Sequence, residues 1–122
     1  MKRMVRFGAA VLLTASALHA NIALAHAVVK SSVPPQGAVL AVAPKEVTIT
    51  FNEKIEKLFS SMILKNAAGA TISTSKARVD PVNPAILRLA APTLGAGEYV
   101  VHWTAVGHDG HRLAGDIRFS VK

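Results

Sequence analysis

Apolar and polar positions alternate with period two through much of this chain. Glu46-Val47-Thr48-Ile49-Thr50-Phe51 sets Val47, Ile49 and Phe51 on one face. Residues 98–105 place Tyr99, Val101 and Trp103 on one side, with Val100, His102 and Thr104 on the other. Residues 115–122 turn Ile117, Phe119 and Val121 inward and Asp116, Arg118 and Ser120 outward. Period two is the signature of half-buried antiparallel strands, because successive side chains leave opposite faces of the pleat. Weaker strands are expected at 27–32, 61–65, 71–73 and 86–89. Turn signals separate them: Pro34-Pro35-Gln36-Gly37, Ala43-Pro44-Lys45, Asn66-Ala67-Ala68-Gly69, Asp80-Pro81-Val82-Asn83-Pro84, Leu94-Gly95-Ala96-Gly97 and Asp109-Gly110. About seven strands in roughly one hundred residues predict an all-β fold, an immunoglobulin-like Greek-key β-sandwich. No helical period competes with this reading, and residues 53–60 offer a helical turn at most.

Two features refine the core. In Gly97-Glu98-Tyr99 a glycine stands two residues before a tyrosine at a strand entry, which fits a tyrosine corner with the hydroxyl bonded to backbone just upstream. Trp103 and Met62 are read as core packing.

The first 25 residues have a different character. Met1-Lys2-Arg3-Met4-Val5-Arg6 is basic, residues 7–18 are apolar or small, and Ala23-Leu24-Ala25 is a small-x-small cleavage site. This is the pattern of a signal peptide over 1–25, removed on export. Its apolar run is shorter than the roughly 20 residues of a spanning helix. Residues 26–122 then form one domain, with no span in the mature chain. Cleavage after Leu18-His19-Ala20 is the alternative; Leu three residues before the cut makes it the poorer site.

Export changes the charge. The signal carries three of the 14 Lys+Arg and none of the 7 Asp+Glu, so the mature chain drops from +7 to +4. Its basic residues are scattered, without the stripe and interleaved aromatics of a nucleic-acid site. There is no cysteine. The domain stands without disulfides in an oxidising compartment and offers no thiolate to a soft metal.

Histidines carry the candidate chemistry. Cleavage after Ala25 makes His26 the first residue. Its free amine and ring Nδ1 then chelate one metal together, with no loop to order. An imidazole from elsewhere completes a nitrogen-rich tetragonal set, which suits Cu(II). Both kinds of nitrogen bind only unprotonated, so binding releases protons and weakens in acid. His108-Asp109-Gly110-His111 is the natural source of the remaining groups. Gly110 lets the chain bend so that a carboxylate and an imidazole converge. Asp109 either binds the metal or orients a ligand. His102 lies mid-strand and faces away from Trp103, and His108 is read as exposed. No nucleophile elbow or glycine-rich phosphate loop is present.

In this order the residues resemble the CopC family of periplasmic copper-resistance proteins. The features are His26 followed by an extended strand and Pro34-Pro35-Gln36-Gly37, then Thr50-Phe51-Asn52-Glu53, then Tyr99-Val100-Val101-His102-Trp103, Asp109-Gly110-His111, Gly115 and Phe119. The resemblance implies a Cu(II)-binding protein of the periplasm. One ion per chain would be held by His26, Asp109 and His111, with Glu53 as a possible accessory. It implies no enzyme activity, and an inner-membrane transporter of the CopD type as partner to a monomeric copper carrier. Some members also carry a methionine-rich Cu(I) loop. Here Met62 is the sole methionine after the signal, so no such site is expected. Two other readings stand beside this one: a copper-dependent polysaccharide oxygenase, which also uses an amino-terminal His, and a metal-free immunoglobulin-like interaction module.

Overall fold

A computed structural model describes residues 27–122; the expected signal peptide over 1–25 and His26 lie outside the described residues. Eight strands follow one another: β1 (Val29–Val33), β2 (Ala38–Leu40), β3 (Glu46–Phe51), β4 (Ser61–Asn66), β5 (Arg78–Val79), β6 (Ile86–Ala90), β7 (Gly97–Val106) and β8 (Arg112–Val121). They form two four-stranded sheets, ordered β1-β3-β6-β5 and β2-β8-β7-β4. The fold is the expected all-β Greek-key sandwich. No helix occurs among the described residues, and 57–59 form a turn where a helical turn was considered.

The alternating segments supply the core because each buries its apolar face against the opposite sheet. Val47, Ile49 and Phe51 from β3 meet Leu64 and Met62 from β4, Val101 from β7 and Phe119 from β8. Met62 is buried, as expected of a packing residue. The Tyr99 hydroxyl donates to the Gly95 carbonyl at 2.7 Å, and its ring stacks on Phe119 at 5.5 Å. The tyrosine corner is therefore present. Gly97 enters the strand at φ 150°, a conformation that L side chains rarely adopt.

Three segments depart from the alternation. Residues 71–73 do not form a strand; Thr71 makes one isolated bridge to Lys65. Two short strands were unforeseen. β2 runs parallel to β8 for three residues, and β5 pairs with β6 for two. On the outer face of the first sheet, Arg88 bonds Asp80 at 2.6 Å and Glu46 at 2.8 Å. The Asn83 backbone N–H, then Arg88, then the Val82 N–H hold the Asp80 carboxyl down at about 2.

The two longest strands, β7 and β8, pair along their whole length from Gly97↔Val121 to Val106↔Arg112. This hairpin fixes where its connecting loop, residues 107–111, leaves the sandwich. Trp103 lies opposite Gly115 in that hairpin and packs edge-on to Phe51, with centroids 5.5 Å apart. A Cβ on Gly115 would stand 2.7 Å from Trp103 Cζ2 and within 3.0 Å of two more indole atoms. Gly115→Ala is therefore expected to force the indole from its place and to destabilise the domain by about 1–3 kcal/mol, measured by urea unfolding. An unchanged midpoint would show that the ring moves freely.

Candidate metal centre

The site is built at one end of the sandwich, from the turn between β7 and β8, the segment that leaves β3, and the start of β1. The turn closes on itself. Gly107 N–H donates to the His111 carbonyl at 3.0 Å, and Gly110 N–H to the Gly107 carbonyl at 2.9 Å. Gly110 takes φ 85°, the left-handed conformation its sequence position suggested.

This bend brings Asp109 and His111 together. Asp109 Oδ1 accepts the His111 backbone N–H at 3.1 Å, and Asp109 Oδ2 lies 2.8 Å from His111 Nδ1. The first holds the His111 backbone, and the second orients the ring. A carboxylate at Nδ1 favours the tautomer with the proton there, so the lone pair resides on Nε2. Asp109 thus stands as an orienting group for an imidazole ligand.

Glu53 comes from the other sheet's loop and meets the same turn. Its Oε1 is buried and has no hydrogen-bond partner among the described residues. Gly107 marks the meeting point. A Cβ there would lie 2.6 Å from Glu53 Oε1, 3.0 Å from Asp109 Oδ1 and 3.1 Å from Ala27 Cβ. Two carboxylates and the start of the described chain therefore converge on one glycine, whose missing side chain makes the approach possible. Ala27 is 1% exposed, held in this convergence. His26 itself lies outside the described residues, and Ala27 is its chain neighbour.

A further residue holds the chain start. Asn52 Oδ1 accepts the Val28 N–H at 2.8 Å, and Asn52 N–H donates to the Val28 carbonyl at 3.0 Å. Both backbone groups of Val28 are therefore taken by one residue. Neither Asn52 nor Gly107 was singled out from the sequence. Their roles depend on contacts 24 or more positions apart, which no local pattern reports. The nearest signal was the placement of Asn52 beside Glu53.

The other histidines lie apart. His108 is exposed, with Nδ1 3.8 Å from Glu56 Oε1 and its N–H bonded to the Lys54 carbonyl at 3.2 Å. His102 sits on the outer face of β7, where its Nδ1 contacts Asp116 of β8.

Among the described residues no three His, Cys, Asp or Glu side chains cluster closely enough to hold a metal by themselves. The chemistry of the convergence nevertheless fits a cation. A buried carboxylate oxygen without a donor is costly, and a second carboxylate beside it adds repulsion. A positive ion relieves both, and the oriented His111 ring adds a nitrogen donor. One imidazole and two carboxylates approach this end of the sandwich without closing into a three-group site among the described residues, so a nitrogen-rich site needs a further donor.

Comparison with known proteins follows this geometry. The CopC domain family matches residues 29–122. The chain is 34% identical over 98 residues to the copper transport protein CutJ of Bacillus subtilis, covering 80% of this chain but only 18% of CutJ. It thus spans less than a fifth of that relative's length. Among solved structures, CopC from Methylosinus trichosporium OB3b aligns with a TM-score of 0.74 at 29% identity, covering 80% of this chain and 94% of that one. The methionine-rich copper resistance protein PcoC from Escherichia coli aligns with a TM-score of 0.69 at 30% identity, covering 80% and 100%.

The orphaned oxygen makes one outcome specific. Glu53→Gln replaces a carboxyl group whose buried Oε1 has no hydrogen-bond partner among the described residues. It is expected to leave the metal-free protein as stable or to raise its Tm by about 4–8 °C, the equivalent of about 1 kcal/mol. A fall in Tm would show that the carboxylate has a structural donor.

Proposed function

The chain belongs to the CopC family, and on that premise we propose that it binds one Cu(II) ion in the periplasm and buffers it or passes it to a membrane copper transporter. The family ties the protein to copper. The finer reading rests on one observation: the buried Glu53 oxygen, the Asp109–His111 pair and Ala27 all meet at Gly107.

In this reading export frees the amine of His26. The amine and the His26 ring chelate the ion, and His111 supplies the third nitrogen. Asp109 holds His111 in the correct tautomer or takes a metal position itself. Glu53 contributes charge from the buried side. The carboxylates offset the divalent charge, so the loaded site is close to neutral inside a basic protein. Asn52 and Ala27 support the chelate by fixing the two residues that follow it. Copper is cargo in this scheme: the protein binds, shields and releases it.

Delivery to a transporter is supported by the relative CutJ. That copper transport protein contains a segment like this chain as a small part of a much longer polypeptide. A segment like this chain thus occurs within a protein named for copper transport, and a free-standing copy is suited to serve a separate one. The partner we propose is of the CopD type.

An oxidative enzyme is the less supported reading. Carbohydrate oxidation at a copper site calls for a flat aromatic surface beside it. Trp103 and Tyr99 both pack against the core. Cu(I) capture by thioethers is also unsupported, because buried Met62 is the one methionine after residue 4.

His26→Ala and His111→Ala are each expected to weaken Cu(II) binding by more than about hundredfold, beyond what loss of an orienting partner gives. Circular dichroism should remain that of the parent. Competition titration with a chromophoric chelator measures the loss. Unchanged affinity in both variants would contradict the proposal.

A further inference from the structure

The end of the sandwich that carries the site also displays large apolar side chains. Leu58 is 81% exposed and its neighbour Phe59 is 66% exposed. Val82, 91% exposed, lies in the adjoining loop, whose Pro84 carbonyl accepts the Ile55 N–H at 3.0 Å.

The exposure belongs to an anchored segment. Ile55 is buried and bridges to Gly107. Glu56 N–H donates to the Val106 carbonyl at 2.8 Å. Ser60 is buried, and its Oγ accepts the Val106 N–H at 3.2 Å. Both ends of the loop are thus tied to the site-bearing hairpin, and the turn at 57–59 is pushed outward between them. Phe59 lines an open concavity with Glu56, Gly107, His108 and Arg112.

The exposed turn itself carries Lys54 and Lys57, and Arg112 is exposed beside it. The acidic groups at this end are turned inward or toward imidazoles: Glu56 is set beside His108, Asp109 is bonded to His111, and Glu53 Oε1 is buried. Adjacent protruding apolar side chains, ringed by cations on flexible stems, match the two attractions of an anionic bilayer. The apolar groups enter the boundary between headgroups and acyl chains, and the cations meet lipid phosphates.

We propose that the Leu58–Phe59 knuckle docks this end of the sandwich on an anionic phospholipid surface. Binding by so few apolar groups is weak and reversible, which suits a carrier that must arrive and leave. The docking needs no copper. Its use, to bring the metal site to the membrane face where a transporter lies, rests on the function proposed above.

The test uses the exported protein, metal-free and Cu(II)-loaded, sedimented with vesicles of phosphatidylglycerol and phosphatidylcholine in equal parts. Pure phosphatidylcholine vesicles are the control. Both forms are expected to bind the anionic vesicles well above the control, and to lose binding as salt rises from about 0.05 to about 0.5 M. Leu58→Ser/Phe59→Ser is expected to reduce partition at least about tenfold, with circular dichroism and copper affinity unchanged. Lys54→Glu/Lys57→Glu should reduce it as well, independently of the apolar contact. Equal binding to both vesicle types, or a double serine variant that binds like the parent, overturns the proposal. So does absence of vesicle binding in a protein whose residue 58 photocrosslinks to a membrane protein in cells, because the surface then belongs to a protein partner. Vesicle binding by the metal-free form separates this result from any failure of the copper assignment.

Discussion

A carboxylate oxygen buried without a donor is a debt in free energy unless a cation meets it. Glu53 Oε1 is such an atom, and it lies against the same glycine as Asp109 Oδ1. Nothing in a well-packed β-sandwich requires two acidic groups at that place. The arrangement makes sense when its occupant is a positive ion and the remaining donors are set to receive it.

The sandwich contributes rigidity at the points that matter. The paired length of β7 and β8 fixes the base of the 107–111 turn, and Gly110 closes it at φ 85°. Asp109 then orients the His111 ring through Nδ1 and holds its backbone N–H with the other oxygen. From the opposite sheet, Asn52 secures Val28 on both its backbone groups. Each donor is held by an element of different origin, and the glycine at 107 lets those elements touch. Preorganisation of this kind lowers the ordering cost of binding.

Much of this was legible in the sequence, for identifiable reasons. Segments of six residues or more with clean alternation, as in β3, β7 and β8, announce themselves because one face is buried and the other is wet. The tyrosine corner followed from Gly97 and Tyr99. Segments too short to show a period did not: β2 spans three residues and β5 two, and each exists only because a neighbouring strand offers an edge. Residues 71–73 carried strand-like composition, but only one bridge forms there. At the site, Asp109 and His111 were readable as a bend with ligand chemistry. Glu53 entered by resemblance, and the burial of its Oε1 is a tertiary fact. Gly107 gave no signal and Asn52 only its place beside Glu53, because their importance lies in what distant residues bring to them. His26 lies outside the described residues, so its part rests on the chemistry of an amino terminus and on the position of Ala27.

The amine is therefore the point on which the copper assignment turns. Two forms of the chain from residue 26 onward, one with a free amino group and one acetylated, differ by that nitrogen and keep every side chain. Electron paramagnetic resonance and competition titration of the two with Cu(II) isolate its contribution. The free form should bind one ion with a nitrogen-rich tetragonal spectrum, and the acetylated form should lose both the affinity and that spectrum. Identical spectra and affinities in the two would show that copper, if bound, is held elsewhere.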